Sequence, residues 1–427
     1  MHNTLTSRIN YQSAVLSKTD VPFALFIAGF NGKLIYDMLA AVEVAVIQPL
    51  EYLSFLLLGM SLLLSLVSGR LRELRPAYQA WLIWIGFLGF MLLVSGVIQR
   101  HGMYPLSRDL FALTYLSAIF IGVRRSNWPF LDRMFVAHFG LVTLIALFEL
   151  YAHRAALDRD SIIWTSLYRT WNAMYAWQYF LLTAALGILP RRLLAASGVG
   201  LYLLLALLFT KRMPFVIVGL LIIGGLVTGL FLNTVTRKGV LMTGAAGIIV
   251  GTIVIGGATL INRDALGSIT FAAAHLQNRF THQGGVIQAV VGNQRWTDEV
   301  DVVMKDTSVA ALAFGRGIGV DVPVSFDVAS TGRSGVLHNG IMNILLKGGF
   351  LLLVSLIAGA VLIARDTLKT NDRRAIVCGI ILLVAAAASP FQTFLNTGPA
   401  WGLILACAGY LMGRGLTGTS TTATPQH

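Results

Sequence analysis

Charged residues are scarce in this chain. Only 12% of its 427 residues are Asp, Glu, Lys or Arg, while 56% are hydrophobic and the mean hydropathy is +0.74. Because an ordinary soluble domain is about 25% charged, this composition excludes a soluble protein and predicts an integral membrane protein. No stretch of the sequence has the length and polarity of a separate soluble domain.

Cysteine and acidic residues are also few. The two cysteines, Cys378 and Cys407, both lie within apolar runs, which indicates neither a disulfide framework nor a metal site. The 19 acidic residues stand against 32 Lys and Arg, for a formal net charge of +13. Polytopic membrane proteins gather Lys and Arg in cytoplasmic loops, so this excess predicts a membrane topology and no nucleic-acid partner. The pattern of a cleaved signal peptide is missing from residues 1–20, so the first span is expected to act as the insertion signal.

Apolar runs fill most of the chain. A membrane span needs about 20 mostly apolar residues. The sequence predicts twelve such spans, near 21–41, 47–68, 79–98, 108–123, 134–152, 173–189, 193–210, 213–232, 240–261, 340–364, 375–391 and 399–413. The first span contains Lys33 and Asp37, and it is therefore expected to be irregular.

This pattern predicts an all-α polytopic membrane protein with about 12 transmembrane helices and one long loop between spans 9 and 10. Spans 1–9 occupy residues 21–261, the loop occupies 262–339, and spans 10–12 occupy 340–413. Residues 1–20 are expected to form a cytoplasmic N-terminal segment, and the low-complexity residues 414–427 a disordered cytoplasmic tail.

The distribution of basic residues predicts the orientation. With the N-terminus inside, every inner connection is basic, whereas the outer connections near 42–46 and 392–398 contain no Lys or Arg. This positive-inside pattern predicts that both termini are cytoplasmic.

Several basic residues nevertheless fall on the predicted outer side. Lys211 and Arg212 lie at a tight turn between two apolar runs, and six more cations lie in the long loop: Arg263, Arg279, Arg295, Lys305, Arg316 and Arg333. Cations at membrane depth are costly unless they meet an anion or a water-filled cavity, and the planar fork of arginine suits phosphate. The cluster therefore predicts an anionic ligand on the outer side, with snorkelling or solvated side chains as the alternative.

Three candidate site residues lie where the loop meets the tenth span. His338 can accept a proton from a hydroxyl group near neutral pH, although a histidine bonded to the backbone at the interface has the same sequence pattern. Asn339 follows it directly. Lys347 lies about 10 Å from the start of the span by the helical rise, and its role could be structural or could be to bind a phosphate.

Two further motifs were weighed against simpler explanations. Gly315-Arg316-Gly317-Ile318-Gly319 looks like a nucleotide-binding loop, but the preceding strand and following helix that this motif requires are not evident. The glycines are therefore expected to permit a tight turn where the loop returns to the membrane. Asp158 and Asp160 fit the Asp-x-Asp pattern of metal-dependent sugar transferases, but hard cations need more oxygen ligands than these two provide, so no metal is predicted.

The segment from His338 to Gly349 resembles the signature of the O-antigen ligase and polymerase superfamily, which is His, then Asn, Ser or Gln, nine residues, and Gly. Phe314–Gly319 is similar to the Gly-rich segment that precedes this signature, and Thr210-Lys211-Arg212 is similar to the family's small-polar-then-Arg turn. Arg295 fits the arginine that the family carries upstream in its loop.

The chain departs from the family pattern at two positions. Leu352 stands where the signature often has Gly, Thr or Tyr, and Glu299 stands where many ligases have Leu. These differences leave the choice between polymerase and ligase open, with a slight preference for polymerase.

The resemblance implies inverting, metal-independent transfer of a glycan from undecaprenyl pyrophosphate to an acceptor sugar hydroxyl, at the periplasmic face of the bacterial inner membrane. His338, Arg212 and Arg295 are implied as catalytic and Asn339 as the residue that orients the acceptor. The implied pyrophosphate-binding residues are Lys211, Arg279, Arg316, Arg333 and Lys347.

The implied partners are the undecaprenyl-pyrophosphate-linked glycan, an acceptor glycan or lipid A-core, the lipid bilayer and a chain-length regulator, with no cofactor. The rival class is a transporter of an anionic solute, although the paired halves common in transporters are not visible in the sequence.

Overall fold

The computed structural model describes residues 20–41, 48–152, 178–180, 182–183, 299–301, 303–304, 308–323, 333–334, 337, 339–389 and 399–414. This part of the chain is helical. Its helices are α1 (Val21–Ala41), α2 (Gln48–Val67), α3 (Pro76–Ile98), α4 (Met103–Thr114), α5 (Ser117–Gly122), α6 (Trp128–Ala152), α7 (Val309–Phe314), α8 (Gly340–Lys369), α9 (Arg373–Ala388) and α10 (Pro399–Met412). Two short strands, β1 (Val322–Pro323) and β2 (Arg333–Ser334), pair antiparallel.

Three of the described helices, α2, α3 and α8, are long and apolar enough to cross a membrane. The bent pair Pro105–Gly122 and Arg125–Leu141, whose axes differ by 100°, makes a fourth if it forms one span. These helices indicate membrane association, as the composition predicted. Most of predicted spans 6–9 and most of the long loop lie outside the described residues, so the count of twelve spans stays a prediction.

Two predicted spans differ in detail from the structure. The span predicted near 108–123 is divided between α4 and α5. The first span, expected to be irregular, is the continuous helix α1. Lys33 and Asp37 are one helical turn apart and form an ion pair of 2.6 Å, and Glu51 of α2 lies 3.0 Å from the same ammonium group. Because Lys33 is paired with both carboxylates within the packed helices, its charge requires no break in α1.

The core of the described bundle lies where α1, α2, α5, α6, α9 and α10 pack together. Small residues bring α5 and α10 close: a Cβ on Gly122 would overlap the carbonyl of Ala406, and one on Gly409 would overlap the carbonyl of Ile119. Close backbone approach through small residues is typical of helix packing in membranes. The position of α10, which begins after a segment outside the described residues, is therefore fixed by packing against α5.

Basic residues that the sequence assigned to one side of the membrane meet at one end of this bundle. Arg124 binds Glu73 at 2.6 Å and Asp20 at 3.0 Å, and its bond to the Glu73 carboxylate raises the pKa of the Arg124 guanidinium. The other pairs at this end are Arg70–Asp20, Arg75–Asp366, Arg374–Asp132 and Arg125–Asp372. We call these residues the arginine end of the bundle. Which side of the membrane it faces stays a prediction.

Candidate functional site

The glycine loop, residues Gly315–Gly319, lies at the end of the bundle opposite the arginine end. Gly315, Gly317 and Gly319 have φ angles of 76°, 89° and 81°, a backbone region that favours glycine. The predicted tight turn is confirmed. Helix α7 precedes the loop and strand β1 follows it, which is the reverse of the strand–loop–helix order of a dinucleotide-binding motif.

Every backbone N–H of the glycine loop already has an acceptor in the protein. The five bonds are Gly315 to the Ala311 carbonyl (2.8 Å), Arg316 to Leu346 (2.9 Å), Gly317 to Lys347 (2.9 Å), Ile318 to Leu92 (3.1 Å) and Gly319 to a carboxylate oxygen of Asp109 (2.9 Å). A loop that binds phosphate through its backbone needs free N–H groups aimed at the ligand. Any anion held at this loop must therefore be bound by side chains.

The same bonds fix the loop between three helices. Gly349, with φ of 63° and ψ of −168°, breaks α8 into the segments 340–348 and 350–369. Carbonyl groups at the end of a helical segment have no partner within it, and the loop amides of Arg316 and Gly317 supply partners for those of Leu346 and Lys347. On the other side of the loop, His101 donates a 2.8 Å bond from Nδ1 to the Ile318 carbonyl.

A buried ion pair joins α4 to α8 beside this loop. The Lys347 ammonium lies 2.7 Å from Oδ1 of Asp109, and the two residues are 7% and 6% exposed. The second oxygen of Asp109 accepts the Gly319 amide. Lys347 was predicted to bind pyrophosphate, and the structure places its charge next to Asp109. Sequence reasoning missed Asp109, although a buried lysine requires a counter-ion and Asp109 is the single acidic residue within 108–123.

Asn339 is the N-cap of α8. Its Oδ1 accepts hydrogen bonds from the amides of Ile341 at 2.9 Å and Met342 at 3.2 Å, as N-cap asparagine residues do. The backbone N–H of Asn339 donates to the carboxylate of Glu299 at 2.8 Å, and both residues are fully buried. The sequence marked Glu299 as a departure from a family pattern and as part of a weak acidic cluster, and in the structure its carboxylate bonds to the start of α8.

This contact joins two segments that each carry a predicted catalytic residue in the sequence. Arg295 is four residues before Glu299, and His338 directly precedes Asn339. An apolar cluster packs around this junction, formed by Val303, Val320, Val322, Leu337, Leu345 and Leu346.

The remaining predicted site residues divide into two groups. Arg316 lies within the glycine loop and is half-buried, and the backbone of Arg333 lies in β2 opposite Pro323. Five lie outside the described residues, namely His338, Arg212, Arg295, Lys211 and Arg279. The described residues therefore place the backbone of Arg316 next to Lys347, while Asn339 lies about two helical turns away at the start of the same helix. In the same part of the chain, no group of three or more His, Cys, Asp or Glu residues could hold a metal ion, and Asp158 and Asp160 lie outside it.

Changing Gly315 to alanine tests the geometry of the loop. A Cβ there would overlap the Lys347 carbonyl, and the φ of 76° strains any other residue. We expect Gly315→Ala to lower the free energy of unfolding by about 1–3 kcal/mol, measured by thermal unfolding in detergent. Gly86→Ala is the matched control, because a Cβ at Gly86 in α3 meets nothing within 4 Å. Equal stability of the two variants would contradict the described loop.

Comparison with known proteins finds no family model, no curated protein and no solved structure that matches this chain.

Proposed function

We propose that this protein is a lipid-linked glycan transferase of the bacterial inner membrane, and that it acts as an O-antigen or exopolysaccharide polymerase. The observation that carries the proposal is the junction at the glycine loop, where Arg108 and Lys347 share the carboxylate of Asp109. The loop backbone there carries Arg316, and the same helix α8 begins at the Asn339 cap that follows His338. The resemblance of this segment to the superfamily signature supports the same function. In this proposal the chain has twelve spans, cytoplasmic termini and a periplasmic site.

The reaction needs no metal or nucleotide. The acceptor hydroxyl oxygen attacks the anomeric carbon of the donor glycan from the side opposite the pyrophosphate. The carbon–oxygen bond to pyrophosphate breaks, and the electron pair leaves with the pyrophosphate. The hydroxyl proton passes to His338, while Arg212 and Arg295 stabilise the charge that develops on the leaving group. Back-side attack makes the transfer inverting.

The contacts in the structure support separate roles for the other residues in binding pyrophosphate and in orienting the acceptor. All five amides of the glycine loop are occupied, which leaves pyrophosphate binding to the side chains of Lys211, Arg279, Arg316 and Arg333. Lys347, also implied as a pyrophosphate-binding residue, has its ammonium paired with Asp109. The Asn339 side-chain oxygen is occupied by the cap of α8, so its amide nitrogen is the group that would orient the acceptor. The Glu299 bond to Asn339 would hold Arg295 within reach of the same helix start.

A ligase that transfers the glycan to lipid A-core is the alternative. Polymerase and ligase share the donor chemistry and differ in the acceptor. The buried carboxylate of Glu299 accepts a hydrogen bond from the backbone N–H of Asn339. Many ligases have Leu at this position, and a leucine side chain cannot accept this bond. This observation favours polymerase. A chain-length regulator would then be a natural partner.

The proposal is tested with purified protein and an undecaprenyl-pyrophosphate-linked glycan, with turnover measured as released undecaprenyl pyrophosphate. We expect release in excess chelator, because the chemistry rests on arginine and histidine side chains. A second lipid-linked unit should support turnover if the protein is a polymerase, and lipid A-core should support it if the protein is a ligase. Release that requires a divalent metal would favour a metal-dependent transferase using Asp158 and Asp160. Absence of release together with ion-coupled uptake of an anion into liposomes would favour the transporter.

A further inference from the structure

Arg108 lies beside the ion pair of Asp109 and Lys347 at the glycine loop, and the contacts described above give its positive charge no role. It lies in α4 next to Asp109, with its Nε 3.5 Å from Oδ1 of that carboxylate. Asp109 has shorter bonds elsewhere: 2.7 Å from Oδ1 to the Lys347 ammonium and 2.9 Å from Oδ2 to the Gly319 amide. Both oxygens of the carboxylate therefore already accept hydrogen bonds, and Arg108 forms only a weak ion pair with it.

Two donor groups of Arg108 lack hydrogen-bond partners. Its Nε and Nη2 atoms are buried and form no hydrogen bond. An arginine keeps its charge at any ordinary pH, and a buried donor without a partner costs free energy. Nε and Nη2 lie on one edge of the guanidinium group, where two parallel N–H bonds can bind one carboxylate or phosphate group. An anion with two available oxygens would satisfy both donors.

The charge balance around Arg108 favours an anion as well. Arg108 and Lys347 carry two positive charges, and Asp109 carries one negative charge, so the three side chains leave one positive charge uncompensated. The side chain of Arg108 is 27% exposed, although its Nε and Nη2 atoms are buried, so a ligand that binds these two atoms must displace the groups that cover them. Arg316 lies three residues before Gly319, which is bonded to the same carboxylate. Arg108 is thus placed at the junction that the glycine loop builds.

We propose that Arg108 binds the pyrophosphate group of a polyprenyl-linked donor through Nε and Nη2. The choice of a lipid pyrophosphate rests on the proposed function, whereas the binding of a phosphate group rests on the geometry of Arg108 itself. Arg108 is not among the residues that the resemblance implies for the site.

The test is a binding titration of detergent-solubilised protein with farnesyl pyrophosphate and, separately, with inorganic pyrophosphate. We expect Arg108→Ala to weaken binding of farnesyl pyrophosphate by about tenfold or more, since a hydrogen bond to a charged group is lost. Arg108→Lys should recover part of the affinity, because lysine keeps the positive charge but cannot donate two parallel hydrogen bonds to one phosphate group. The matched control is Arg100→Ala, which removes an exposed arginine from the turn after α3 and should bind as the wild type does.

Folding of the variant is checked by thermal unfolding without ligand, which should change little because, among the described residues, the Arg108 charge forms only the weak 3.5 Å ion pair with Asp109. Wild-type affinity in Arg108→Ala would overturn the inference while leaving the proposed function to its own release assay. Equal affinity of the wild type for both probes, lost in Arg108→Ala, would support the phosphate site and overturn the lipid as its source. Loss of binding in Arg108→Ala, in a protein that releases no undecaprenyl pyrophosphate from the linked glycan, would support the site and overturn the transferase.

Discussion

Replacing Asp109 with alanine is expected to lower the free energy of unfolding by about 3–5 kcal/mol, because it leaves Lys347 charged and buried without a counter-ion. Lys347 is 7% exposed and its ammonium lies 2.7 Å from the lost carboxylate. The Gly319 amide would lose its acceptor in the same change. The variant should therefore lose both the link between α4 and α8 and the attachment of the glycine loop. Thermal and chemical unfolding in detergent would measure the effect.

Two controls separate the buried pair from a general loss of charge. In the double variant Asp109→Leu with Lys347→Met, apolar side chains replace both charges, and most of the stability should return. Arg125→Ala breaks an exposed pair at the arginine end, where Arg125 lies 3.4 Å from Asp372 with 45% of its side chain exposed. That change should cost less than about 1 kcal/mol. If Asp109→Ala were as mild as Arg125→Ala, the Lys347 ammonium would not be buried as described.

Replacing His338 with alanine is expected to lower the rate of undecaprenyl pyrophosphate release by about 10²–10⁴-fold, the usual contribution of a general base. The Asn339 cap and the Glu299 bond fix the start of α8, and neither uses the side chain of His338. Stability should therefore change little while turnover falls. Release rates and thermal unfolding of the same preparations would separate the two effects.

A conservative variant sharpens this test. His338→Gln keeps a hydrogen-bonding side chain but cannot take a proton, so its loss of turnover should match that of His338→Ala. Combining Arg212→Ala with His338→Ala removes the proposed base and a proposed stabiliser of the leaving group. Wild-type turnover in this double variant would rule out the mechanism.

Local patterns in the sequence predicted the helices that the structure describes with fair accuracy. Predicted spans 21–41, 47–68 and 79–98 correspond to Val21–Ala41, Gln48–Val67 and Pro76–Ile98. Span length depends on a run of apolar residues that is contiguous in the chain. The turn at Gly315–Gly319 was predicted for a similar reason, since positive φ angles favour glycine wherever they occur.

The same local patterns did not predict which residues far apart in the chain bond to each other. Lys347 and Asp109 are 238 residues apart, and Asn339 and Glu299 are 40 apart. Nothing in the sequence near Asp109 indicates that it pairs with Lys347, and nothing near Glu299 indicates that it bonds to Asn339. The break between α4 and α5 and the kink at Gly349 were missed too, because both depend on what packs against the helix.

The sequence alone determined that the chain forms apolar helices of a kind that indicates membrane association, because composition and apolar run length act locally along the chain. It also determined the tight glycine turn. Tertiary structure decided what the charges do. It placed Asp109 between Lys347 and the Gly319 amide. It gave every backbone N–H of the glycine loop an acceptor within the protein. It left the buried Nε and Nη2 atoms of Arg108 without a hydrogen bond. The physical reason is that burial and hydrogen bonding depend on distances between segments, which only the packed helices set.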